Sequence, residues 1–289
     1  MTLLIVLLAI VFMQIFAQDN PLHRDHWLTE SSRRLAAALP LRFYPFANLL
    51  LAFLAAVVIA LVIAWVASIS AFLAFPLVVL VVIYSFGRHN FTDTLHDYFI
   101  AVKHNDAEQK TEVLAELFDG GKPETNADKG EGSDLASEHD QAFDELSVRA
   151  FERYFTAIFW FCVGGVFLCV FYRLVALLAE HEAGNHQHGE ADKPTVDTTI
   201  TQHCQRLMAW PASRLLHLSL LLVGNFSKAY DDVLESLADS TPAFLSVPRL
   251  VREAGEFTSV DENDFLSLKS LMKRCLVVWL AVIALIMIF

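Results

Sequence analysis

A stretch of nineteen residues without a formal charge, from Tyr154 to Tyr172, is the feature that most constrains how this chain folds. Glu152 and Arg153 precede the stretch, and Arg173 closes it. An α-helix needs about 20 mostly apolar residues to cross the hydrocarbon core of a bilayer. Hydrophobic residues make up 55% of the 289 positions, more than is usual for a soluble protein of this length. The sequence therefore predicts a protein embedded in membrane.

Several other apolar runs point to an all-α, polytopic membrane protein with about five membrane-inserted helices, together with amphipathic and cytoplasmic helices. The predicted membrane segments are 1–17, 43–67, 71–86, 154–176, 209–226 and 271–289. The first is only about 25 Å long as a helix, against a hydrocarbon core of about 30 Å, so it is expected to pack inside the bundle. Arg214 and His217 interrupt 209–226, which is counted as a span or a re-entrant segment.

The chain divides by sequence pattern into three predicted regions. These are N-terminal membrane helices with an interfacial helix at 1–86, cytoplasmic helices with an acidic disordered loop at 87–150, and a C-terminal membrane part with a histidine-rich loop (181–192) at 151–289. Glycine and charge dominate residues 119–134, which predicts disorder there.

Most of the net charge of −12 comes from one place. Residues 105–145 carry thirteen acidic side chains and three lysines, which leaves the rest of the chain nearly neutral. This acidity disfavours nucleic acid as a partner. Arginines cluster in 18–42 and are absent from the connection 68–70, which predicts that the former is cytoplasmic and the latter lies outside. By the same reasoning the acidic loop is cytoplasmic.

Charged side chains within predicted membrane segments are the candidate site. Burying a charge at membrane depth costs at least a few kcal/mol, so such residues are usually retained for a function. Arg214 and His217 are three residues apart and share a helix face. Together with Arg173 they form the predicted ligand-binding set, which Glu152 and Arg153 would complete by pairing across the bundle. The alternatives are that the arginines reach toward the headgroups or form structural ion pairs, and that Glu152 and Arg153 only cap the span.

No catalytic residue, metal site or cofactor is predicted. The histidine-rich loop places His181, Glu182, His186, His188 and Glu190 together, but its glycine and asparagine content is typical of a flexible insertion rather than a zinc or copper site. The four cysteines match neither a disulfide framework nor a zinc site. Walker-type phosphate loops and recognisable nucleophile motifs are absent from the sequence.

An ordered set of motifs extends over nearly the whole chain. In chain order these are MTLLIVLLAIVF, Arg33-Arg34, LHDYF (95–99), FERYFTAIFWFCVGG (151–165), Tyr172-Arg173-Leu174, AWPASRL (209–215) and LLVGNFSKA (221–229). This order resembles the AmpE family, inner-membrane proteins of Gram-negative bacteria encoded beside the anhydro-muramyl amidase AmpD. The resemblance implies a multi-pass inner-membrane modulator linked to peptidoglycan recycling, β-lactamase induction and antibiotic resistance. Its implied partners are the lipid bilayer and an envelope or peptidoglycan-derived ligand, with a functional link to AmpD.

The AmpE family is similar in turn to the cobalamin-pathway membrane synthase family that joins aminopropanol to the corrinoid, CobD/CbiB. That likeness implies an alternative function, a membrane-embedded ATP-dependent amide ligase related to cobinamide phosphate synthase. In the synthase family a tyrosine-arginine pair is expected, and its arginine is present here as Arg173. The same family is expected to carry acidic groups that organise a metal-bound nucleotide. Those groups are missing at the corresponding places, which read QDNPLHRDHWL, VRAFERYF and YRLVALLAE. The sequence therefore favours sensing without catalysis.

Overall fold

The computed structural model describes residues 2–15, 46–86, 131–188, 200–238, 242–257 and 262–288. Within these ranges the regular secondary structure is entirely helical, which confirms the predicted all-α class. The α-helices are α1 (Thr2–Ile15), α2 (Ala47–Ile69), α3 (Ala71–Ser85), α4 (Glu131–Ala150), α5 (Ala157–His188), α6 (Ile200–Val223), α7 (Phe226–Ala238), α8 (Ala243–Gly255) and α9 (Glu262–Ile288). One turn of π-helix, Phe151–Thr156, joins α4 to α5.

Two helical segments in the described part of the chain are long and apolar enough to cross a membrane, Ala47–Ile69 and Asp140–Glu180. Leu3–Phe12 and Ala71–Ser85 are apolar but shorter. The predicted segment 209–226 begins in α6, which ends at Val223, and reaches the first residue of α7. The predicted segment 271–289 coincides with the C-terminal part of α9 up to Ile288. Neither helix is among the two segments that satisfy this criterion within the described residues. In α6 the charged and polar side chains of Arg206, Arg214 and His217 explain the difference.

The chain forms two compact units, of which the first comprises Met1–Arg88 and Thr156–Ala209. Here α2 and α3 form the predicted helical hairpin, which reverses at Ser70, and both helices pack on α5. α1 packs on α3. Small residues of α2, such as Ala52 and Ala56, are fully buried against Leu174 and Leu178 of α5.

The second unit comprises His89–Phe155 and Trp210–Phe289. Its centre is α8, which packs against α4, α7 and α9. Apolar side chains of α8, among them Val247, Leu250 and Val251, are buried, and the ring of Phe143 in α4 contacts Phe257 just beyond α8. The second unit is therefore organised around amphipathic helices.

Gly164 and Gly165 interrupt α5 in the middle of its apolar stretch. The backbone of Gly165 has φ 62° and ψ −149°, a conformation that is essentially restricted to glycine. From sequence, a glycine pair in a membrane helix is expected to allow close approach of a neighbouring helix, but the surroundings of these glycines do not support that role. A Cβ built at Gly165 would meet no atom within 4 Å, and the three atoms nearest to one built at Gly164 belong to Leu168 of the same helix. The glycines permit a break in the helix.

Several predicted features lie wholly or partly outside the described residues. They are the interfacial helix within 1–86, the cytoplasmic helices of 87–118, and residues 189–192 of the predicted histidine-rich loop. Residues 181–188 of that loop are instead the helical end of α5. Helix α4 begins at Glu131, so the last four residues of the segment predicted to be disordered, 119–134, are helical. The division into three sequence regions stays a prediction.

Candidate functional site

The candidate site lies on α6, where the sequence AWPASRLLHLS places polar groups along one side of the helix. Trp210, Arg214 and His217 are spaced four and three residues apart, so they follow one another along one face. Arg214 is 6% exposed and His217 is completely buried. Ser236 of α7 contacts this face and is also buried. A cation, an imidazole and a hydroxyl thus meet in the interior of the second unit.

The guanidinium group of Arg214 contacts the imidazole ring of His217 and the ring of Trp210. Its Nη1 lies 3.5 Å from Nδ1 of His217. The guanidinium carbon lies 5.2 Å from the centre of the Trp210 ring, within the range of a cation–π interaction. Burial of an arginine is costly unless such contacts offset the loss of water. The cluster, defined here as Arg214, His217, Ser236 and Trp210, therefore fixes a positive charge inside the protein.

Two polar groups surround Nδ1 of His217. The Ser236 oxygen lies 3.1 Å from Nδ1 and 2.8 Å from the carbonyl oxygen of Val233. Nη1 of Arg214 lies 3.5 Å from the same nitrogen. The serine hydroxyl has one hydrogen, which either the carbonyl or Nδ1 can accept, so these distances are compatible with both neutral tautomers of the ring.

Nε2, the other ring nitrogen of His217, is buried and has no hydrogen-bond partner among the described residues. A buried polar atom that loses its bond to water without replacement costs about 1–3 kcal/mol. Native proteins satisfy the large majority of such atoms, so an exception calls for an explanation.

The remaining predicted site residues lie elsewhere in the fold. Arg173 is on α5 in the first unit. It is half-buried, and its Nε has no hydrogen-bond partner among the described residues. Glu152 and Arg153 lie in the π-helical turn of the second unit, and the Arg153 guanidinium lies 5.5 Å from the ring of Tyr154. Of the five predicted residues, Arg214 and His217 are the pair whose side chains the structure brings into contact.

Two groups of functional interest were missed by sequence reasoning. Ser236 lies on α7, 19 residues after His217 in the sequence, and no sequence motif links the two residues. Arg252 of α8 donates to Asp144 at 2.6 Å and to Asp140 at 2.9 Å, and its guanidinium also covers the ring of Phe143 at 5.2 Å. Burial lowers the pKa of Arg252, but the hydrogen bonds to both aspartates outweigh this effect, so its pKa is raised. The i,i+4 spacing of the two aspartates was the only available signal.

Among the residues whose side chains are described, no group of three or more histidine, cysteine, aspartate or glutamate side chains could hold a metal ion. The side chains of residues 181–192 lie outside that part of the chain. Cys162, Cys169, Cys204 and Cys275 are free thiols.

Helices able to cross a bilayer, joined to amphipathic helices that enclose charged side chains, define an all-helical membrane protein. Residues 1–289 match the family described as regulatory signalling modulator protein AmpE. The chain therefore belongs to the AmpE family, and its role is that of a regulatory membrane protein. No curated protein and no solved structure gives a significant match. The relation to the cobalamin synthase family stays a prediction.

Proposed function

We propose that this chain is a multi-pass protein of the bacterial inner membrane that senses an anionic envelope ligand without catalysis, and that it links cell-wall recycling to β-lactamase induction. Family membership supports the regulatory role. The observation that carries the ligand proposal is the cation of Arg214, held in the interior beside His217. In a low-dielectric interior, a fixed positive charge attracts an anionic group far more strongly than it would in water.

The burial of the cluster suits a sensor. His217 is inaccessible to solvent, and Ser236 of α7 lies against it. A ligand that reaches the cluster must move side chains at the contact between α6 and α7. Occupancy is thereby coupled to a conformational change, which is the requirement for a ligand to shift a protein between two states.

Ion pairs provide a route from α7 to the acidic helix. Arg249 of α8 contacts Asp232 of α7 at 2.7 Å. One turn further along α8, Arg252 holds Asp140 and Asp144 of α4. A shift of α7 would therefore act on α8 and through it on α4, the helix that follows the acidic loop predicted to be cytoplasmic. Coupling along this route is testable by mutation of its members.

The decisive experiment replaces Arg214 by alanine and by lysine in cells with inducible β-lactamase. Arg214→Ala should abolish the contribution of this protein to induction, whereas Arg214→Lys retains the charge and part of the response. Arg206→Ala, an exposed position on the same helix, is the matched control and should leave induction unchanged. The abundance of each variant in the membrane fraction separates loss of signalling from loss of folding.

Arg173 is tested in the same strain, because it was predicted as part of the ligand set. The proposal predicts that Arg173→Ala also lowers the response. Normal induction by both alanine variants at normal abundance would overturn the proposal. Thermal stabilisation of the purified protein by ATP and magnesium would instead favour the amide ligase alternative.

A further inference from the structure

We infer that α7 lies along the surface of the membrane, with Phe226, Tyr230 and Leu234 inserted into the interfacial layer of the lipids and the acidic side of the helix in water. We call these three side chains the apolar stripe of α7. The inference assigns a docking surface in the second unit, and it depends neither on the ligand nor on the signalling role proposed above.

The apolar stripe follows from the spacing of its residues. Phe226, Tyr230 and Leu234 are four residues apart, so they follow one another along one face of α7. They are 56%, 42% and 48% exposed, and the rings of Phe226 and Tyr230 are 5.4 Å apart. Contiguous apolar side chains at a surface mark a site of contact with a membrane or a partner.

The rest of α7 divides into two further sides. Ala229 and Val233 are buried within the second unit. Asp231 and Glu235 each follow a residue of the stripe in sequence, and both are exposed. A helix with one apolar and one strongly charged exposed side is typical of an element that lies in the plane of a membrane surface.

The position of α7 in the chain favours lipid as the phase that covers the stripe. The preceding helix, α6, also exposes apolar side chains, Leu215, Leu218 and Leu222, at helical spacing. α7 begins at Phe226, the last residue of the predicted membrane segment 209–226. The end of a membrane segment lies at the bilayer surface, so the stripe begins where lipid is in reach. The chain also belongs to a family of membrane proteins.

The residue types of the stripe suit the interfacial layer. Aromatic side chains are enriched at the level of the headgroups, and the tyrosine ring combines an apolar body with a polar hydroxyl. The neighbouring carboxylates of Asp231 and Glu235 are repelled by anionic headgroups. Insertion of apolar groups, and not attraction between charges, is therefore what holds α7 on the membrane, and the attachment should not require anionic lipid.

Nitroxide labels test the orientation of α7 in the full chain reconstituted into phosphatidylcholine vesicles. Each label is carried by one new cysteine, at Phe226, Tyr230 or Leu234, in a chain whose four native cysteines have been replaced. Asp231→Cys and Glu235→Cys are the matched controls on the same helix. Collisions with oxygen, which concentrates in lipid, are compared with collisions with a water-soluble nickel chelate. The ratio of oxygen to nickel collisions should be severalfold higher on the stripe than at the controls, and added phosphatidylglycerol should leave this pattern unchanged.

A second measurement keeps the native cysteines and so covers the case in which the cysteine-free chain does not fold. A benzophenone amino acid, aromatic like the residues that it replaces, is introduced at Phe226 or Tyr230, with Glu235 as the control position. Irradiation in the same vesicles should produce adducts that carry the mass of phospholipid at 226 and 230 but not at 235.

The outcomes separate lipid from the other possible surroundings. Nickel access to the stripe equal to that at the controls would place the stripe in water and overturn the inference. Shielding of the stripe from both reagents, or adducts with a second polypeptide in place of lipid, would show that protein covers it and would also overturn the inference. A pattern that appears only with phosphatidylglycerol would refute attachment by apolar insertion. The induction response of the Arg214 variants tests the proposed function independently of these results.

Discussion

Gly224 and Ala254 lie so close together that position 224 has no room for a side chain. A Cβ built on Gly224 would be 2.6 Å from the carbonyl oxygen of Ala254 and 2.8 Å from its Cβ. The same carbonyl accepts a hydrogen bond of 2.9 Å from the backbone N–H of Asn225. The side-chain amide of Asn225 also donates to Glu256, the residue that ends α8 in a left-handed conformation. The motif LLVGNFSKA is therefore where the α6–α7 turn docks on the end of α8.

Gly224→Ala should destabilise the protein, because backbone atoms of α8 cannot yield as a flexible side chain would. Overpacking of this kind typically costs about 1–3 kcal/mol. The measurement is thermal or denaturant unfolding of the purified protein. Leu222→Ala, an exposed position two residues earlier, is the control and should change stability by less than about 0.5 kcal/mol. Similar stability of the two variants would contradict the close approach.

Gly165→Ala should also destabilise the protein, but for a different reason. No atom lies within 4 Å of the added Cβ, so the cost comes from the backbone, at φ 62° and ψ −149°. Strain in such a region costs about 1–3 kcal/mol. Asparagine tolerates a left-handed helical conformation, but the ψ angle here lies outside it. Gly165→Asn should therefore be no more stable than Gly165→Ala, and a clearly more stable asparagine variant would refute this account of the break.

Sequence pattern was sufficient for the parts of the fold that depend on local chemistry. The hairpin of α2 and α3 follows from two apolar runs separated by a short connection, and the pairing of Arg214 with His217 follows from their spacing on one helix. The contact of His217 with Ser236, by contrast, joins residues 19 apart on two helices, and Arg252 meets Asp140 across 112 residues. Such contacts depend on how helices pack, which periodicity does not specify. The glycine break was misinterpreted because a helical glycine pair looks the same in sequence whether it serves packing or backbone conformation.

The predicted multi-pass topology places residues 130 and 187 on opposite sides of the membrane, because the chain would cross the membrane once within the candidate span Asp140–Glu180. Single cysteines at Asp25, Gly130, Gln187 and Leu245, in a chain whose four native cysteines have been replaced, should divide into two groups. Those at 25, 130 and 245 should react with an impermeant maleimide only after the inner membrane is opened, and 187 should react from outside. Reporter fusions at the same positions provide a second measurement that does not require the native cysteines to be replaced. Labelling of 130 and 187 from the same side would contradict the topology.

Arg252 and Arg249 lie one turn apart on α8 and should differ sharply in their importance. The side chain of Arg252 is 22% exposed, and it donates to both aspartates of α4 and to the backbone carbonyl of Asp140. Arg249 is 60% exposed, and its pairs with Asp232 and Glu253 are open to solvent and screened by salt. Charge-assisted hydrogen bonds that are partly buried contribute more than surface ion pairs do, since water competes less for them.

Arg252→Ala should therefore lower the free energy of unfolding by about 1–3 kcal/mol, against less than about 1 kcal/mol for Arg249→Ala. Arg252→Lys should recover only part of the loss, because an ammonium group cannot reproduce the planar set of donors that reaches both carboxylates and the carbonyl. Denaturant unfolding at low and high salt checks each value, and salt should diminish the effect of Arg249→Ala more than that of Arg252→Ala. Equal losses for the two alanine variants would mean that the contact between α8 and α4 contributes no more than a surface ion pair, and would remove the final step of the proposed relay.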